Sequence, residues 1–169
     1  MNRREAKLLM LAMVTTLALI LVAPAQAKKP LVGTMDLTFN LAWPGPSETI
    51  PEWEGTITFD GMVFYDMKFF NIGTGKQGDQ DPGNTLHFGE IWKIWDEGTL
   101  ILQGTDEGVV SLSNSKYRMN GVVTEAYGDF AIWEGRNVHM SGDIIWQNLG
   151  TEEEPIMAPE TAPGVFRMN

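Results

Sequence analysis

The sequence predicts an all-β protein: a single antiparallel barrel of eight or nine strands behind an N-terminal signal peptide. Three observations predict it. Beyond residue 27, no stretch of ten or more residues carries a helical apolar period free of glycine. Several runs instead alternate apolar and polar residues with a period of two, the mark of a strand buried on one face. Glycine also recurs on the apolar side of those runs, at Gly33, Gly55, Gly121 and Gly142, where a missing side chain permits the bends that closing a sheet demands.

Taken in order, residues 1–27 read as the signal. Arg3, Arg4 and Lys7 form a basic start, Leu8 to Val22 an apolar run, and Pro24 precedes the small-residue pattern Ala25-Gln26-Ala27. The apolar run is 15 residues long, shorter than the roughly 20 that span a bilayer as a helix. Cleavage after Ala27 is therefore expected, with membrane contact only through an uncleaved signal. Three basic residues and one acidic residue leave with it, so 142 residues remain at a formal charge of −12, against −10 for the whole chain. The expected location is secreted, periplasmic or cell-envelope.

Residues 28–149 form the expected barrel domain. In the first strand Leu31, Gly33, Met35, Leu37, Phe39 and Leu41 share one face, and Val32, Thr34, Asp36, Thr38 and Asn40 the other. A Pro-rich loop from Trp43 to Pro51 follows, expected to fold over one end of the barrel. Trp53, Gly55, Ile57 and Phe59 repeat the alternation, and Asp60-Gly61 signals a tight hairpin into Met62 to Ile72. A polar loop, Gly73 to Asn84, leads to Thr85 to Trp95. Glu97-Gly98 turns the chain into Thr99 to Gln103. Gly104 to Gly108 reads as a turn before Val109 to Leu112. Tyr117 to Ala126, Asp129 to Trp133 and the alternating run Val138 to Trp146 complete the strands. Residues 150–169, with Glu152 to Glu154 and three prolines, show neither period and read as an irregular tail.

Composition excludes several chemistries. Without cysteine there is no disulfide, thiolate metal site or cysteine nucleophile. His87 and His139 are the only histidines, too few for a histidine-rich metal centre. An acidic chain repels phosphate, so nucleic acid is not an expected partner. Asp79, Asp81 and Asn84 alternate like calcium ligands, but the distal Glu is absent and Pro82 interrupts, so a polar turn is the reading. No cofactor is expected.

The remaining place for function is the lumen. An eight-stranded barrel is just wide enough to be filled by its side chains or to hold one small ligand. Met35, Trp53, Trp92, Tyr117, Met140 and Trp146 are the candidate lumen residues, and dense packing among them is the default. Two carboxyls share their faces: Glu90 with Leu86, Phe88 and Trp92, and Glu125 with Tyr117, Met119 and Val123. A carboxyl aimed into such a lumen has a raised pKa and suits proton transfer or the orientation of a polar ligand group. At a strand end it is merely solvated, the reading favoured for Glu125. His87 and His139 fall on the outward registers.

The run Gly121-Val122-Val123-Thr124-Glu125-Ala126-Tyr127-Gly128-Asp129-Phe130, with Glu134-Gly135-Arg136 and Gly142-Asp143-Ile144, resembles the hairpin of the allene oxide cyclase and dirigent barrels. The resemblance covers about a fifth of the mature chain. It implies an apolar ligand in the lumen, and the group's catalytic residues find no match here. The leading expectation is an exported barrel that binds a small apolar or amphipathic ligand. The alternatives are a cofactor-free isomerase or cyclase using Glu90 or Glu125, and a non-enzymatic surface or carbohydrate-interacting protein with a filled barrel. An exposed strand between Asp66 and Phe70 offers a surface for subunit pairing, with the oligomeric state left open.

Overall fold

In the first strand, β1 (Leu31–Phe39), burial follows the sequence alternation: Leu31, Met35 and Leu37 are buried, while Val32, Thr34 and Asp36 are exposed. The structure, a computed structural model, describes residues 29–73 and 84–169. The signal-peptide reading of residues 1–27 and the aspartates Asp79 and Asp81 lie outside the described residues.

The next strands are β2 (Trp53–Phe59), β3 (Met62–Asn71), β4 (Thr85–Asp96), β5 (Thr99–Ser111), β6 (Lys116–Ala126) and β7 (Asn137–Asp143). They pair with their neighbours in an antiparallel meander. Two connections are as tight as their sequences ask. Asp60-Gly61 and Glu97-Gly98 each place both residues at positive φ, the two-residue turn whose twist matches that of the flanking strands.

A hairpin of β8 (Ile145–Asn148) and β9 (Met157–Thr161) then leaves the meander, and the chain returns as β10 (Gly164–Met168). Strand β10 pairs with β7 on one side and with β1 on the other. Those two ladders close an antiparallel barrel of eight strands, β1 to β7 and β10. The β8–β9 hairpin stands outside the ring and touches β1 at Thr38 and Thr161.

Three sequence expectations are corrected. The tail 150–169 is not irregular: it carries β9 and the stave that closes the barrel. In Gly164-Val165-Phe166-Arg167-Met168, Phe166 and Met168 are buried and Arg167 is exposed, an alternation too short to stand out beside the prolines. Gly104 to Gly108 does not turn; β5 runs straight through it, with Gly104, Asp106 and Gly108 facing inward. Asp129 to Trp133 is not a strand but part of a 3-10 helix, Gly128–Trp133, entered through Gly128 at positive φ.

One half of the barrel is solid. Phe59, Phe64, Trp92 and Phe166 fill it, with Phe130 of the 3-10 helix making edge-on contacts to Phe59 and Phe64 at ring-centroid distances of 5.8 Å. Trp92 meets Phe166 edge-on at 5.7 Å. Such pairs add about 0.5–1.5 kcal/mol each to the gain from area burial. The buried core continues into the other half through Leu37, Phe69, Tyr117 and Met119.

Candidate functional site

Inside the barrel, bulky side chains on one strand face glycine on the next. Trp92 lies opposite Gly104, Phe88 opposite Gly108 and Tyr117 opposite Gly142. A Cβ at Gly104 would run into the Trp92 ring, one at Gly108 into the Phe88 ring, and one at Gly164 into the Tyr117 hydroxyl. Glycine therefore lets each ring lie against the wall. That arrangement fills the closed half completely and leaves space in the other.

The open half holds a cavity of about 250 Å3. Its walls are mostly apolar: Leu37 and Trp53 from the first two strands, Phe69 and Phe88 from β3 and β4, and Tyr117 and Met119 from β6. The chain between β7 and β10 contributes Ile144, Trp146, Pro159 and Ala162. Trp43 comes from the loop between β1 and β2, which therefore does lie over one end of the barrel. Asn40 Nδ2 donates to the Pro51 carbonyl at 3.0 Å and the Ser47 amide to the Asn71 carbonyl at 2.7 Å, pinning that loop in place. The buried Trp43 Nε1 has no hydrogen-bond partner.

The floor of the cavity is polar. Asn71, Glu90 and Asp106 are cross-strand neighbours on β3, β4 and β5, all inward-facing and all buried. Asn71 Nδ2 donates to Glu52 Oε2 at 2.8 Å, which brings a third carboxyl to the same level. Glu52 and Glu90 line the cavity, and Asp106 sits directly behind Glu90. Neither Asp106 carboxyl oxygen has a hydrogen-bond partner.

Burial decides the ionisation of this group. Desolvation pushes Glu90 well above the carboxylate range, and repulsion from Asp106 and Glu52 adds to it. Asp106 is raised by desolvation to about 8. Glu52 is raised by desolvation to about 6, the Asn71 hydrogen bond working against the rise. Burial also raises the Tyr117 phenol, with the charge of Glu90 as a further cause. At neutral pH the floor is a set of carboxylic acids that mostly keep their protons, able to donate as well as accept.

Of the residues expected in the lumen, Glu90, Trp53, Tyr117 and Trp146 line the cavity. Trp92, Met35 and Met140 face inward but are buried in packing and do not line it. Glu125 points out of the barrel. An extra residue, Thr124, bulges from β6 where Gln103 pairs with Glu125 and Gly104 with Val123, so the period of two slips and Ala126 takes the buried place. Outside, Glu125 accepts from Gln103 Nε2 at 3.2 Å and from the Tyr127 hydroxyl. His87, expected to face outward, is half-buried and reaches the cavity wall. His139 is exposed and pairs with Asn120 at 2.7 Å.

Sequence reasoning missed Glu52, Asn71, Asp106 and Trp43. Asp106 alternates with Gly104 and Gly108, the signal of an inward position in a strand, but the glycines suggested a turn. Glu52 and Trp43 lie in or beside a loop, where no period reports direction. Among the described residues no three His, Asp or Glu side chains converge closely enough to hold a metal ion. Comparison of the chain with protein-family models, curated protein sequences and solved structures finds no match.

Proposed function

We propose that the protein binds one small, predominantly apolar molecule in the open half of its barrel. The observation that carries this reading is the cavity of about 250 Å3, apolar at its walls and acidic at its floor. An apolar cavity of about 150 Å3 holds benzene, so this one suits a ligand somewhat larger than a single aromatic ring. An apolar pocket with a few convergent polar groups and perturbed pKa values is the usual form of a small-molecule site. Export by way of residues 1–27 belongs to the same proposal.

Trp43, Trp53 and Trp146 line the cavity and report on it. Titration of an apolar ligand should change tryptophan emission saturably at one equivalent. Ala162→Phe places a ring in the cavity and should abolish that binding while the protein stays folded. Binding that survives Ala162→Phe, or that never saturates, would overturn the proposal.

Glu90 also favours a second reading, a cofactor-free isomerase or cyclase. A carboxyl that holds its proton at neutral pH, at the end of an apolar cavity, is equipped to give that proton to a bound molecule and take one back. Conversion of the bound molecule, lost in Glu90→Gln with binding retained, distinguishes this reading from simple carriage.

A further inference from the structure

The floor of the cavity has acids and no described lysine or arginine beside them. Asn71, Glu90 and Asp106 stand side by side across β3, β4 and β5, with Glu52 held to Asn71. No described lysine or arginine lines the cavity. Lys68 and Lys93 lie over the rings of Trp95 and Phe70, and Lys116 bonds Asp143 at an exposed site. Among the described lining residues, His87, at the wall, is the one basic side chain. Buried carboxyls are normally paired with a cation or hydrogen-bonded on both oxygens. Asp106, 5 % exposed, has neither oxygen bonded.

We propose that the ligand is a small apolar amine, bound as its ammonium ion with the nitrogen at the Glu90 floor and the apolar body against Trp53, Tyr117 and Trp146. The proposal rests on the reading of the open half as a ligand site and names the chemical class that site selects. An ammonium favours the ionised form of a buried carboxyl, so its binding draws a proton from the neighbouring Glu90 and Asp106 and gives the floor a charge-assisted partner. A carboxylate ligand would add negative charge at the level of Glu52, with no described lysine or arginine lining the cavity to offset it. A neutral alcohol makes one hydrogen bond and leaves the charge pattern unanswered. A metal ion is the other complementary cation, and the described acids do not converge closely enough to hold one. Aromatic walls also favour a cation over an anion, since ring faces attract positive charge.

The test is calorimetric titration of the purified protein at neutral pH with three probes of one shape: 4-phenylbutylamine, 4-phenylbutan-1-ol and 4-phenylbutanoate. The amine is expected to bind tighter than the alcohol by about tenfold or more, the gain of a charge-assisted hydrogen bond, with the carboxylate weakest. Glu90→Gln and Asp106→Asn should each cut that preference, lowering the amine's affinity by more than the alcohol's. Ala162→Phe should abolish binding of all three, which separates the cavity from the acidic outer surface. An alcohol that binds as tightly as the amine, or an amine preference that survives both substitutions, would overturn the ligand class and leave the cavity reading standing. Failure of all three probes, or amine binding undiminished in Ala162→Phe, would remove both.

Discussion

Asp106 shows how much one side chain can set. Its carboxyl is buried behind Glu90 with no bonded oxygen, and it is raised to about 8; Glu90 and Glu52 shift in the same direction. The unfolded chain releases those protons near pH 4, whereas the folded chain keeps them to higher pH. Their contribution to stability is therefore complete below about pH 4 and falls as pH rises towards 8, by up to about 1.4 kcal/mol per pH unit for each retained proton. Asp106→Asn should flatten that decline and raise Tm at pH 8 by roughly 3 °C or more, with little change at pH 4. Melting curves across that range check it, and a Tm that climbs from pH 4 to 8 would contradict the buried-acid account. The position was hard to see in the sequence because an aspartate between two glycines is also how a turn is written.

For the elements, tight turns and bulges explain which expectations held. Asp60-Gly61 and Glu97-Gly98 were legible because the turn they form needs positive φ at both positions, a local demand that Asp-Gly and Glu-Gly meet. Thr124 was not legible, because a bulge is a misfit between two strands and has no period of its own. It turns Glu125 outward, so that of the two carboxyls the strand pattern offers only Glu90 reaches the cavity. Strand β5 depends on the opposite device, small residues facing large ones. Gly104→Ala forces a methyl into the Trp92 ring, which is itself fully buried, and should cost about 1–3 kcal/mol. Chemical denaturation measures that loss; a neutral result would show that Trp92 has room to move.

The whole molecule depends on its last five-residue strand. Without β10, the edges of β1 and β7 face each other unpaired and Phe166 leaves the centre of the packed half. A chain ending at Pro163 should lose cooperative unfolding and associate through those edges, visible in melting curves and size-exclusion chromatography. Phe166→Ala keeps the ladder and removes only the ring. It should cost about 3–5 kcal/mol while the protein remains a folded barrel. If the truncated chain melts like the intact one, closure is not what holds the fold.

Alternation, turn dipeptides and glycine within strands are properties of neighbouring residues. From them alone the chain was bound to form antiparallel strands, and strands of that kind in that number close on themselves to remove their edges. Three things followed only from tertiary packing: that residues 164–168 complete the ring, that Glu90 faces inward while Glu125 does not, and that the lumen is packed in one half and hollow in the other. Each depends on how distant strands meet. Register slips, facing volumes and the distance of a carboxyl from water are set between strands far apart in the chain, where a local period carries no information.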